Sequence, residues 1–148
     1  MEHITWILVA DAATARIFSA HKARLFQDHK DGKDLTLISE HQHTDSRKTD
    51  QELVSDKNGK FGYATFQQET DPKRHAEDCF AMELAKVLNT GREANHFQDM
   101  ICIAPPAFMG MINKHLPATV SRLVSLSIEK DYTRHTPKDL VQNLQDYL

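Results

Sequence analysis

Ile4-Thr5-Trp6-Ile7-Leu8-Val9-Ala10 is a nearly unbroken apolar run of seven residues, closed by Asp11. Its reading decides the fold. It is far too short to cross a bilayer, which takes about 20 apolar residues. Glu2 also stands where a signal peptide would carry basic residues. An apolar run of this length, ended by a turn residue, predicts a fully buried strand. The expected location is the cytoplasm, with no membrane insertion and with Cys79 and Cys102 reduced.

The rest of the chain builds outward from that strand. Asp11-Ala12-Ala13-Thr14 predicts a tight turn and residues 15–20 a second strand. A polar loop holding Asp31-Gly32 leads to a third strand over 35–40. Connections this short favour antiparallel neighbours. Asp71 can cap a helix whose first position is Pro72. Ala76, Phe80, Leu84, Val87 and Leu88 then recur at helical spacing, and Gly91 is the expected stop. Residues 100–104 predict a short buried strand ending at Pro105-Pro106, which opens a helix with Phe108, Met109, Ile112 and Leu116 on one side. Pro117 ends that helix, and a last strand is expected over 123–129. Thr136-Pro137-Lys138-Asp139 has the pattern of a capping box, ahead of a helix burying Leu140, Val141, Leu144 and Leu148. The order β-β-β-α-β-α-β-α predicts an α/β fold: a mixed five-stranded sheet with helices packed on it.

Composition agrees. The 148 residues suffice for one domain, 1–148, with a core of its own. Eighteen basic against 21 acidic side chains leave a net charge of −3, so bulk charge does not argue for nucleic acid. Two cysteines exclude a disulfide framework and a CxxC metal motif. Charge is uneven, however. The only net-basic stretch is 105–138, with Lys114, Arg122, Lys130, Arg134 and Lys138 against Glu129 and Asp131. Residues 44–73 form a long polar loop, with Phe61, Tyr63 and Phe66 late in it. Loops of that length in compact domains are usually functional or mobile.

No catalytic constellation is legible, and no cofactor is called for. Of the nine histidines, His41 and His43 stand two apart near a strand end and so share a face. They are weak candidates for a metal, which would need a third and fourth ligand. His75 lies beside Glu77 and Asp78, where acidic residues serve the helix dipole. Asp11 and Asp131 end strands and could belong to a metal-dependent nuclease, but that chemistry needs more carboxylates converging on the ion. The five glycines, 32, 59, 62, 91 and 110, form no phosphate-binding loop, and no nucleophile elbow exists. The helix start at Pro105-Pro106 offers free backbone amides to an anion.

Four segments taken in order resemble one family. Trp6-Ile7-Leu8-Val9-Ala10-Asp11-Ala12-Ala13-Thr14-Ala15-Arg16-Ile17-Phe18 resembles the opening hairpin of the bacterial host-attachment protein family. Ser55-Asp56-Lys57-Asn58-Gly59-Lys60 is similar to its mid-chain loop, and Ala104-Pro105-Pro106-Ala107-Phe108-Met109-Gly110 to its strand-to-helix segment. Glu129-Lys130-Asp131-Tyr132-Thr133 resembles its closing element, with Tyr132 where leucine is usual. The resemblance implies a fold related to the middle domain of archaeal and eukaryotic translation termination factors, hence a ribonuclease H-like sheet. It also implies a role in attachment to host cells, indirect for a cytoplasmic protein. The Gly-Gly-Gln triplet by which termination factors release peptide is absent, so no catalytic residue carries over. The charged residues of the matching segments are the binding candidates: Asp11, Arg16, Lys57, Lys60, Lys130 and Asp131. The expected function is a small non-enzymatic binding module that contacts the ribosome or RNA through the 44–73 loop and the 105–138 stretch. Self-association through exposed strand edges is a further expectation. The alternative is a metal-dependent hydrolase acting on RNA or a phosphoester, using Asp11, His41, His43 and Asp131.

Overall fold

A computed structural model of the chain describes residues 3–25, 34–43 and 72–147. Lys57, Lys60, the proposed cap Asp71, the aromatics Phe61, Tyr63 and Phe66, the rest of the 44–71 segment, and Leu148 lie outside the described residues.

Strand β1 spans Ile4–Ala10 and β2 Thr14–His21. They pair antiparallel from Ile4 opposite His21 to Ala10 opposite Ala15. Asp11 makes the connection tight: its Oδ1 accepts from the backbone N–H groups of Ala13 and Thr14, both at 2.8 Å. An aspartate bonding backbone two residues on is the usual reason for its place in turns. β3, Thr36–Gln42, pairs antiparallel with β2, with a register shift between Ile17 and Phe18. β4, Asp99–Ile103, runs parallel to β1, and β5, Val124–Ile128, runs parallel to β4. The sheet order is β3-β2-β1-β4-β5. The expected mixed five-stranded α/β sheet is present.

The helices depart from expectation in two details. Among the described residues, beside α2 (Pro72–Glu93), α3 (Pro106–His115) and α5 (Pro137–Leu144), there are two four-residue helices, α1 (Lys22–Leu25) and α4 (Ala118–Ser121). A single turn gives no apolar period to read. Pro117 does close the segment after α3, but its φ of −67° also starts α4, which sinks Val120 into the core. The second departure concerns Gly91, which lies inside α2 and does not stop it. The helix ends at Asn95, in left-handed conformation with φ 60°. There the His96 N–H donates to the Gly91 carbonyl and the Asn95 N–H to the Arg92 carbonyl, both at 2.9 Å. This is the paired closure in which asparagine can replace glycine. Gly91 serves packing instead, because a Cβ there would lie 2.5 Å from the Trp6 ring. Its bare Cα lets α2 settle directly on the indole.

β1 separates two cores. Trp6, Leu8 and Ala10 face α2 and α3 together with Ala15, Ile17, Phe80, Leu84, Leu88, Phe108 and Ile112. Ile7 and Val9 face the other way and join Phe18, Ile103, Leu140 and Leu144 of the α5 layer. Alternate strand residues point to opposite faces, so an apolar run with no polar alternation is what a central strand between two helical layers requires. Each fully buried Leu or Ile contributes about 1.5–3 kcal/mol. Edge strand β3 differs: Leu37 and Ile38 are 47% and 46% exposed. Thr136 caps α5 as expected, its hydroxyl accepting from the Asp139 N–H while the Asp139 carboxylate accepts from the Thr136 N–H. Among the described residues no helix is long and apolar enough to cross a membrane.

Candidate functional site

β1, β4 and β5 point the same way, so Ala10, Ile103 and Ile128 end at one edge of the sheet. Loops beyond the C-terminal ends of parallel strands are where α/β sheets most often bind ligands. Three segments meet here: the Asp11 turn, the Pro105-Pro106 start of α3, and residues 129–135 after β5. The Ala104 N–H donates to the Ile128 carbonyl at 3.1 Å and joins the last two.

Arg16 organises this edge. It stands opposite Val9 and Glu40 in the sheet, and its guanidinium carbon lies 5.3 Å from the centre of the Phe18 ring. Its Nη2 donates to the carbonyls of Thr133 and His135, each at 2.8 Å, and of Tyr132 at 3.4 Å. Three carbonyls more than a hundred residues away along the chain are thereby gathered on one cation. The Thr133 hydroxyl stands between two carboxylates, hydrogen-bonded to Asp131 Oδ1 and 3.4 Å from Asp11 Oδ2. The Thr133 N–H donates to Asp131 Oδ1 at 2.9 Å. Tyr132 is buried and stacks on the His135 ring at 4.4 Å. Burial, then the hydrogen bond its hydroxyl donates to Tyr147, raises the Tyr132 phenol's pKa. Lys130 is exposed, and its pKa is raised chiefly by a hydrogen bond to the Tyr147 phenol, three residues beyond α5.

Asp11, Arg16 and Asp131 thus come together, with Lys130 beside them. His41 and His43 do not join them. His41 pairs in register with Ala15 and so lies on the α2–α3 face, its Nε2 3.0 Å from Ser39 Oγ. His43 is buried on that same face, stacked on Phe80 at 5.2 Å. The sheet separates both from Arg16 and Thr133. Among the described residues no group of three or more His, Cys, Asp or Glu side chains could hold a metal ion. Cys102 is fully enclosed, and burial pushes its thiol up to about 12.

The basic stretch does not form one patch. Lys114 is ion-paired with Asp78 at 3.0 Å, beside His115 Nε2 at the same distance. Arg122 precedes β5 at the opposite edge of the sheet. Only Lys130, Arg134 and Lys138 follow β5, and all three are exposed. Sequence reasoning missed Thr133 and the Asp78–His115 contact. The Asp-x-Thr spacing of 131 and 133 is a readable turn signal; the approach to Asp11, 122 residues away, leaves no local trace.

A family model described as "Protein required for attachment to host cells" matches residues 6–144. The chain belongs to this host-attachment family. The match runs from Trp6 within β1 to the end of α5 and so takes in Asp11, Arg16 and residues 129–135. No curated protein matches the chain significantly. In this host-attachment protein, therefore, the family assignment and the Arg16-centred edge rest on the same residues.

Proposed function

We propose that this protein is a small, cytoplasmic, non-enzymatic binding domain that acts in host attachment indirectly, by engaging the ribosome or RNA at the C-terminal edge of its sheet. One observation carries the reading. Arg16 holds residues 132–135 in place through three carbonyls, which leaves Lys130, Arg134 and Lys138 exposed around them. A loop fixed from beneath, with cations outward, suits a phosphate-rich surface, where such contacts position the partner without reading sequence. The strand order β3-β2-β1-β4-β5, antiparallel on one side of β1 and parallel on the other, supports the ribonuclease H-like, release-factor-middle-domain reading. Asp11, Arg16 and Asp131 in this proposal shape the edge, and Lys130 touches the partner.

Sucrose-gradient sedimentation of a cell lysate tests it. The protein is expected with ribosomal particles at low salt and to leave them as salt rises, because each phosphate contact releases counterions. Lys130→Glu with Arg134→Glu should return it to the top of the gradient. A protein that stays with free soluble protein at low salt ends the ribosome reading. Metal-dependent hydrolysis has less support, since Asp11 and Asp131 meet only through Thr133. Magnesium-dependent RNA cleavage lost in Asp11→Asn would reverse that order. The exposed Leu37 and Ile38 of edge strand β3 support self-association, which a monomeric mass by light scattering at high concentration would overturn.

A further inference from the structure

At the other edge of the sheet, where β4 and β5 begin, a cavity of about 350 Å³ is lined by Arg92, Asn95, Phe97, Thr119, Arg122 and neighbouring Leu123. Arg92 comes from the last turn of α2, and Arg122 follows the last residue of α4. Among the described residues neither guanidinium is ion-paired with a carboxylate. Among the described residues Arg92 donates only to the neutral Asn89 amide oxygen, through Nε at 3.4 Å. A cation near a helix C-terminus is accounted for by the peptide dipole. Two such cations lining one cavity repel each other and are not so explained. The base of the cavity is apolar: Phe97 is 1% exposed, and Leu123 packs against the same core. One wall is rigid. Gln98 Oε1 accepts from the Ile4 N–H at 2.9 Å, while its Nε2 donates to both the backbone and side-chain oxygens of Asn95 at 3.3 Å.

We propose that this cavity binds a small organic oxyanion with a flat apolar body. Arg92 and Arg122 hold the carboxylate or phosphate group, and the body lies on Leu123, above the buried Phe97. Guanidinium groups match the planar two-oxygen edge of both anions. The volume falls at the small end of ligand sites, which run from about 300 to 1,000 Å³, so one ring with one charged substituent fits and a dinucleotide does not. The site lies across the sheet from the Arg16 edge and does not depend on what that edge binds.

The molecule carries its own reporter. Trp6 is the single tryptophan, and its ring stacks on Phe97 at 4.7 Å. Fluorescence titration with phenyl phosphate should give a saturable change. Inorganic phosphate, with the charge alone, and benzyl alcohol, with the body alone, should each bind at least about tenfold more weakly. Arg122→Gln should cost about tenfold in affinity, and Arg92→Gln with Arg122→Gln more. Amide shifts induced by phenyl phosphate in the unaltered protein should fall on residues 92–98 and 119–123. The proposal is overturned by the absence of a saturable change up to about 10 mM. It is equally overturned by binding undiminished in the folded double variant, or by amide shifts centred on residues 130–138.

Discussion

The two edges of the sheet use arginine in opposite ways. At the C-terminal edge, Arg16 sits under its loop with one nitrogen shared among three carbonyls. At the N-terminal edge, Arg92 and Arg122 flank a cavity and meet no carboxylate among the described residues. A guanidinium surrounded by main-chain oxygens is an internal strut, and removing it deprives the fold of something. A guanidinium facing an unfilled space is available to a partner, and its removal costs the fold little. Residue type and charge do not distinguish these cases; the acceptors around the group do.

That contrast can be broken experimentally. The largest effect is expected for Arg16→Met, which leaves three partly buried carbonyls without their cation. A loss of about 2–3 kcal/mol in chemical denaturation, with faster hydrogen exchange at the His135 amide, is the expected result; a loss below about 0.5 kcal/mol would remove the strut. Gly91→Ala should cost about 1–2 kcal/mol. The new methyl group overlaps the Trp6 ring, and the roughly 1 kcal/mol that alanine gains in a helix only partly offsets this. Thermal melting together with Trp6 fluorescence reads both the loss and its location. Thr136→Ala removes the α5 cap for about 1 kcal/mol, and Thr136→Ser should restore most of it.

A smaller effect depends on pH. Burial alone would raise the Asp78 carboxyl, but hydrogen bonds and charge from His115 and Lys114 outweigh it and hold its pKa below the ordinary value. A carboxyl held low in the folded chain stabilises it above the unfolded value, near 3.9, and that contribution disappears as pH falls through the folded value. Asp78→Asn should therefore lower the urea midpoint at pH 5–6 and converge on the parent protein at the acid end. Equal midpoints at every pH would show that the contact contributes nothing. Arg122→Gln completes the series at the opposite extreme. Its stability should stay within about 0.5 kcal/mol of the parent, although the phenyl phosphate response falls.

The fold was readable wherever one segment carries its own pattern. Ile4–Ala10 was bounded to the residue, because an apolar run ended by a turn-forming aspartate leaves no ambiguity. The Thr136 box and the Pro106 helix start are local chemistry and appear where expected. What failed depended on partners distant in sequence. Gly91 looks like a helix stop until Trp6 is placed against it, and Asn95 then takes the turn. At the candidate site, Asp11 and Asp131 are legible as charged residues at strand ends and Arg16 as a charged residue of the family-like hairpin, but nothing local joins Asp11 to Thr133. His41 and His43 do share a face, as their spacing requires, yet it is the face turned away from Arg16. The basic run 105–138 was real as composition and misleading as a surface, since β5 carries its residues from one edge of the sheet to the other.

β1 pairs on one side with the strand that follows it and on the other with residues 99–103, which are not yet made when the first hairpin can close. Local antiparallel pairing closes quickly, whereas parallel pairing must first meet the entropy of a long loop. During synthesis, then, the most apolar strand of the chain has one hydrogen-bonding side satisfied and one open until β4 arrives. In this order of events the early hairpin is a template with an unpaired edge, and the speed with which residues 72–103 follow it determines how long that edge is offered to other chains.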